Sequence, residues 1–403
     1  MFEIREIFEQ IKLCRCDKRV LGWTCSAETC EGEGEVTGLD DLILVPGREK
    51  KEERGWWWWA GRGDAVVDAT TIADMDTLAE IKKRDQGHHE CEVLMSSGNS
   101  EAEESGFAWK NCTKNPGHPR FIPAPAFSLT DLPEQYRKRW VWDCLEYVMA
   151  MTVKLKVGYV SKSRADGYCF SKFRGTSVAH LGSGLVSTFH RGKGPCLCPD
   201  CEHGTTPSYT WYEIRVRTAR HVVYNSEEAR ATQVTLFYDE EESCTNGNSK
   251  TIWGVRTREI HDGGDFCFLT CATHDRQVVE LLEVVEAPLQ YAFAKFQGNP
   301  ILRRKLNTSS KKLCIIVSHP HGQPKKVTVG WERSREKADT RRPQFHYIYD
   351  TDTCRGSSGA FVFQIDTDLS VYLPPSLVWG AIHTTGGLEG RLNKSGISSP
   401  DFD

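Results

Sequence analysis

The chain reads as mainly β, with an α-helix and a largely irregular N-terminal region ahead of the strands. Three observations carry that reading. From Val153 to about residue 392, short apolar segments recur between turn residues. The first of them, Val153-Lys154-Leu155-Lys156-Val157-Gly158-Tyr159-Val160, alternates in period two, as a half-buried strand does. Residues 1–125 hold no sustained period of either kind. At 403 residues the chain suits two or three structural units, divided here as 1–125, 126–152 and 153–395.

The first unit is expected to be irregular. Short helices are expected at 2–13 and 70–84, and the polar run Ser96-Ser97-Gly98-Asn99-Ser100-Glu101-Ala102-Glu103-Glu104-Ser105 reads as a linker. The block Trp56-Trp57-Trp58-Trp59 is too apolar for open water and reads as a packing or partner contact. Met1 to Phe8 alternates charged and apolar residues without a signal-peptide core, and no apolar run reaches membrane-spanning length, so a cytoplasmic location is expected. Sixteen cysteines in that compartment are expected as free thiols or metal ligands. A net charge of −4 gives no bulk affinity for nucleic acid or membrane. Residues 295–342 do hold 13 Lys or Arg against 3 Asp or Glu, read as a solvated face.

In the second unit, Pro119 to Pro125 forms a hinge. Thr130-Asp131-Leu132-Pro133-Glu134 then offers a capping residue, a first-turn proline and an early acid, which predicts a helix running to about Met151. The third unit opens at Val153.

Three strings in that unit carry chemistry. Thr218-Ala219-Arg220-His221-Val222-Val223 puts a histidine just past a strand end. Asp265-Phe266-Cys267-Phe268-Leu269 puts an acid at the opening of an apolar strand, with Asp262 and Asp275 as rival acids. Asp352-Thr353-Cys354-Arg355-Gly356-Ser357-Ser358-Gly359-Ala360-Phe361 puts a glycine-flanked serine before another. Singly, each is as well read as a core histidine, a turn acid and a flexible loop. Their order His, Asp, Ser, at intervals of 44 and 93 residues, resembles the trypsin-like (chymotrypsin-fold) serine proteases. Gly182-Ser183-Gly184-Leu185-Val186, Ile315-Ile316-Val317-Ser318-His319-Pro320-His321-Gly322 and Val378-Trp379-Gly380-Ala381-Ile382-His383 resemble further landmarks of that family in the right order. The likeness spans roughly 153–395 and is nearest the glutamyl endopeptidase and high-temperature-requirement branches.

That resemblance implies two packed six-stranded antiparallel barrels, about 153–285 and 286–395, with the site in the cleft between them. It implies Ser358 as nucleophile, His221 as general base and acid, and Asp265 as orienting acid. A serine hydroxyl needs an imidazole to take its proton, and the imidazole needs an acid to hold its tautomer. It also implies an oxyanion hole from the amides of Gly356 and Ser358. Ser357 stands where trypsin-like enzymes usually carry an Asp that pairs with a new N-terminus; it cannot make that ion pair, so either the site forms without zymogen cleavage or the N-terminus is used differently. Thr353 and His383 match the Thr and His with which glutamyl endopeptidases hold a substrate carboxylate, which implies Glu or Gln before the scissile bond. A hydroxyl and an imidazole N–H can both donate to such a group.

Pro195-Cys196-Leu197-Cys198-Pro199-Asp200-Cys201-Glu202-His203 is a separate signal. Cys196, Cys198, Cys201 and His203 can converge on one tetrahedral, structural zinc; the competing reading is a solvated loop with free thiols. Cys14, Cys16, Cys25 and Cys30 form a second cluster of looser spacing. The expected function is a serine endopeptidase acting on polypeptides, with no cofactor required for catalysis. The alternative is a catalytically silent protease fold that binds partners, with a zinc-stabilised loop.

Overall fold

A computed structural model describes residues 86–94, 100–202, 204, 208–261, 264–297, 312–338, 344–365, 381–388 and 391–397. The helices expected at 2–13 and 70–84, the four tryptophans, the four early cysteines and His203 lie outside them.

The strands follow in chain order. β1 is Glu92–Val93, β2 Ile122–Pro123, β3 Thr152–Val157, β4 His180–Arg191, β5 Tyr212–Ala219, β6 Thr232–Leu236 and β7 Lys250–His261. β8 is Phe266–Thr273, β9 Leu313–Ser318, β10 Lys326–Lys337, β11 Phe345–Tyr349, β12 Val362–Ile365, β13 His383–Leu388 and β14 Leu392–Ser395. Six of them form a closed antiparallel barrel in the order β4-β3-β6-β7-β8-β5, with β5 pairing back onto β4. The second sheet runs β12-β9-β10-β11-β14-β13. Its end strands meet at one bridge, Phe361 to Ile382, supported by Val362 N donating to Ala381 O (2.9 Å) and His383 N to Ala360 O (2.7 Å).

Burial explains why these segments are strands. Every residue of β8 and β9 is buried, and Val153, Leu155 and Val157 of β3 point into one core shared with Ile214, Val216 and Leu269. Apolar runs of this length gain more from two-sided burial in a sheet than from an amphipathic helix.

Helix α1 (Glu101–Lys110) occupies sequence that reads as a linker. Its Ser100 and Glu103 form a reciprocal capping box, Glu101 pairs with Lys154 (2.7 Å) and Lys156 (2.9 Å) of β3, and the buried Ser105 hydroxyl donates to His321 O (2.5 Å). Tertiary contacts thus order a polar stretch whose composition alone argues against a helix. Residues 86–125, expected to be irregular, carry β1, α1 and β2 against the two sheets.

Helix α2 (Arg139–Met151) starts later than expected. Leu132, ahead of Pro133, is held extended (φ −86°, ψ 151°), as the proline ring requires, so only short 3₁₀ turns form at Leu129–Asp131 and Glu134–Tyr136. Val141, Cys144, Leu145, Val148 and Met151 form its buried face. Between β8 and β9 in the chain comes helix α3 (Arg276–Gln297), which packs against α2. The division expected at 285/286 falls inside it.

Candidate active site

His221 sits in the turn after β5, Asp265 immediately precedes β8, and Ser358 lies in the loop before β12. The β5–β8 pairing, in register from Tyr212 with Thr273 to Ala219 with Phe266, brings the first two together. His221 Nδ1 lies 2.6 Å from Asp265 Oδ2, and its Nε2 lies 2.7 Å from Ser358 Oγ. Asp265 Oδ1 accepts from the His221 amide at 3.0 Å and from the Tyr168 hydroxyl at 3.3 Å. The carboxylate therefore fixes Nδ1 as the protonated nitrogen and leaves the Nε2 lone pair facing the serine. Asp265 holds a left-handed backbone (φ 48°), which L-residues rarely adopt, and this aims its side chain beneath the ring. Burial drives the His221 pKa down to about 4; Asp265 opposes that, while His89 and Arg164 reinforce it. The Asp265 carboxyl, despite burial pushing it up, is held low by His221.

Gly356 (φ 89°) and Gly359 (φ 84°) bracket Ser357 and Ser358. A Cβ on Gly356 would stand 2.5 Å from His319 O, and one on Gly359 2.2 Å from Thr218 Oγ1, so neither position admits a side chain. The amides of Gly356 and Ser358 point to one spot. A protein oxygen fills it: Glu90 O accepts from Gly356 N (2.6 Å) and from Ser358 N (3.2 Å).

Glu90 was not among the residues expected here. Its own amide donates to Ser358 Oγ (2.9 Å). Its carboxylate enters a buried pocket, where Oε2 meets His383 Nε2 (2.7 Å) and Oε1 meets Lys114 Nζ (2.5 Å). The Tyr349 hydroxyl contacts His383 Nδ1 at 2.7 Å, which suits a neutral ring that presents Nε2–H to the acid. Burial lowers the His383 pKa, in keeping with that neutral form. Burial pushes the Glu90 carboxyl up, but Lys114 and His383 outweigh it and hold it well below the usual carboxylate range. Thr353 lines the same pocket, yet its hydroxyl accepts from Lys114 Nζ (2.9 Å), which also reaches Asn393 Oδ1 (3.1 Å). The expected Thr–His pair is thus a Thr–Lys–His arrangement, with Lys114 supplied from a segment that sequence reasoning left unassigned.

The neighbours of Glu90 continue along the cleft. His88 O accepts from Gly386 N (2.9 Å) on β13, and His89 Nδ1 lies 2.7 Å from Thr384 O. The His89 ring stacks on His221, with centroids 3.9 Å apart and planes 20° off parallel. Beyond Cys91, whose amide donates to Gln86 Oε1 (3.2 Å), β1 pairs antiparallel with β4.

Among the described residues, two clusters besides His89, His221 and Asp265 have ligand chemistry. Cys196, Cys198, Cys201 and His274 bring their donor atoms within 4.8 Å of one another. His274 Nε2 lies 3.6 Å from Cys198 Sγ and 3.2 Å from Cys201 Sγ, while its Nδ1 is bonded to Thr210 O at 2.9 Å. Among the described residues, the nitrogen beside the three expected cysteines is that of His274: it stands just past β8, and the β5–β8 pairing brings it to the loop ahead of β5. Cys112, His118, His321 and Cys354 form a second group of the same compactness.

Residues 208–387 match the family model of the lysyl endopeptidase C-terminal domain. No curated protein sequence matches the chain. Among solved structures, the chain is similar to the Rv3671c protease of M. tuberculosis in its active form, at 13% identity and TM-score 0.32, covering 66% of this chain and 82% of that one. It is similar also to the HtrA-type protease AlgW with a decapeptide, at 12% identity and TM-score 0.31, covering 63% of each chain.

Proposed function

We propose that this chain, whose fold is that of the trypsin-like serine proteases, is a serine endopeptidase that cuts polypeptides after glutamate. The observation that supports it most is the single imidazole bonded to Asp265 on one nitrogen and to Ser358 on the other, at 2.6 and 2.7 Å. Ser358 Oγ attacks the scissile carbonyl as its proton passes to His221 Nε2. The amides of Gly356 and Ser358 stabilise the oxyanion, and His221 returns the proton to the departing amine. Water then repeats the sequence on the ester.

The pocket supports glutamate over other side chains. Lys114 and His383 supply a full positive charge and a neutral N–H donor to a carboxylate in a buried setting, where such bonds are strong. The same lysine would repel a lysyl or arginyl substrate, in contrast to the specificity in the name of the matching family. Glutamine keeps the imidazole bond but loses the ion pair, so it ranks second.

Labelling the purified protein with a fluorophosphonate, beside Ser358→Ala and His221→Ala, tests the reading. Wild type alone should label, and a peptide panel should be cut after Glu first. A folded wild type that neither labels nor cuts any peptide would favour the silent binding module instead.

For the cysteine loop we propose a structural zinc held by Cys196, Cys198, Cys201 and His274. Three thiols and an imidazole of fixed tautomer leave no open position for catalysis. Metal analysis lacking stoichiometric zinc would dispose of it.

A further inference from the structure

We infer that the first substrate of this protease is its own Glu90–Cys91 bond. The inference rests on the endopeptidase reading and deepens it. Residues 86–93 cross the cleft as a peptide substrate would, and each part has a reason to be there. The Glu90 carbonyl already lies between the two oxyanion donors, its amide touches the nucleophile, and its carboxylate bonds to both His383 and Lys114. His88 is held by β13 on one side of the bond and Glu92–Val93 by β4 on the other, so both flanks are tied to the two sheets that make the cleft. A loop resting on the surface by chance would satisfy one or two of these conditions. This segment satisfies main-chain, oxyanion and side-chain recognition at the same residue.

The step balances without any co-reactant except water. Ser358 Oγ bonds to the Glu90 carbonyl carbon while its proton moves to His221. The bond to the Cys91 nitrogen breaks as that nitrogen takes the proton. Hydrolysis of the ester leaves Glu90 as a new carboxylate terminus and Cys91 as a new amino terminus. Until then the strap keeps other peptides out, because it fills the pocket and the oxyanion site.

The full chain tests this directly. Wild type incubated at neutral pH is expected to yield a fragment whose N-terminal residue is Cys91, with turnover of a Glu-containing reporter peptide rising as it forms; Ser358→Ala should stay whole. In Glu90→Lys, Lys114 repels the new side chain, and the cut should slow at least 100-fold. Cleavage at Cys91 in both wild type and Ser358→Ala would assign it to another protease and overturn the inference. So would a wild type that stays whole while turning over the reporter, or one that stays whole and silent while Glu90→Lys turns the reporter over; both leave the endopeptidase reading standing. Absence of cutting and of turnover in every form would sink that reading as well.

A different observation carries a second inference: the geometry points to a zinc site formed by Cys112, His118, His321 and Cys354. The two sulfurs lie 3.6 Å apart. Two Zn–S bonds of about 2.3 Å at a tetrahedral angle span about 3.8 Å. His118 is 4% exposed, yet neither of its ring nitrogens has a hydrogen-bond partner of ordinary geometry, and His321 Nε2 has none either. The other nitrogen of His321 is held by the Glu92 carboxylate at 2.6 Å, the outer-shell partner that orients a metal-bound imidazole. Asn115 donates its amide N–H to Cys112 Sγ (3.4 Å) and its side-chain N–H to Cys354 Sγ (3.1 Å), as donors do around metal thiolates. Both histidines hold left-handed backbones (φ 49° and 55°), a strain that a ligand geometry would repay. The ion would tie the segment bearing Lys114 to the loop bearing Gly356 and Ser358.

Metal analysis of the purified full chain is expected to show one zinc lost in Cys112→Ser and in His118→Asn but kept in Cys196→Ser. Equal zinc in wild type, Cys112→Ser and His118→Asn would overturn the site. Where those variants do not fold, alkylation of wild type decides. Cys112 should resist iodoacetamide until a chelator is added, and equal labelling with and without chelator would refute the site.

Discussion

Arg164 and Glu228 form a two-point ion pair with both side chains fully buried, Nε to Oε1 at 2.7 Å and an Nη2 bond of 2.7 Å to Oε2. Nη2 of Arg164 also donates to the carbonyl of His221 (3.1 Å), so the pair is built into the seat of the imidazole. Glu228 accepts further bonds from Ser161 N and Tyr224 N (both 2.9 Å), which leaves its carboxylate fully satisfied.

Removing one partner strands the other charge in the interior. Glu228→Ala or Arg164→Ala should each cost about 3–5 kcal/mol in denaturant unfolding. Paired replacement by apolar residues should recover most of that stability while leaving the His221 carbonyl without its donor. Stability without activity in the double variant would establish Arg164 as a positioning residue.

Asp265→Asn should leave the fold intact and lower kcat by about 10⁴-fold, because an amide no longer dictates which ring nitrogen carries the proton. Ser358→Ala should abolish fluorophosphonate labelling. A mild loss in Asp265→Asn, read in single-turnover kinetics, would hand the orienting role to another group.

Lys114→Met should separate the two proposed substrate classes, glutamyl and glutaminyl peptides. Turnover after Glu should fall by about 10–100-fold, as expected for loss of one desolvated charge-assisted bond, while turnover after Gln changes little. Equal losses for both would mean that Lys114 supports the loop and does not read charge. His383→Ala should damage both.

The general base must be neutral to act. With the strap in place, burial, His89 and Arg164 outweigh Asp265 and hold His221 near 4, so its neutral form persists as pH falls to about that value. Once the strap leaves, water and the loss of His89 should return the ring toward the ordinary value of about 6.5. The acid limb of self-cleavage should therefore lie well below that of peptide turnover by the processed enzyme. The sign for stability is opposite. A folded imidazole that refuses its proton makes the uncut chain less stable as pH falls from about 6.5 toward 4, because the unfolded ring is protonated first. Coincident acid limbs in the two assays would remove the argument.

Much of the site was legible along the chain because its members mark strand ends. His221 follows β5, Asp265 immediately precedes β8 and Ser358 precedes β12, and such strand ends are open to a reader of the sequence. Glu90 and Lys114 were not legible. Their surroundings are polar, and their meaning arises from contacts across 268 residues for Glu90 with Ser358 and 239 for Lys114 with Thr353. His203 drew attention as the histidine nearest the three cysteines in sequence. His274, 73 residues from Cys201, reaches them through strand pairing that no local spacing encodes. Helix α1 was missed for a related reason: the Ser100–Glu103 cap was readable, but the salt links to β3 that hold it were not.

Glu90 and Ser358 belong to one molecule, and that sets the tempo of whatever passes between them. Self-cutting is then a first-order event with a half-life that dilution does not alter, unlike processing by a second enzyme. An outside peptide must compete with a tethered rival whose effective concentration lies in the millimolar range or above. The chain would thus keep its own time from synthesis: silent for an interval written in its structure, and open only once the tether is cut and the strap has left.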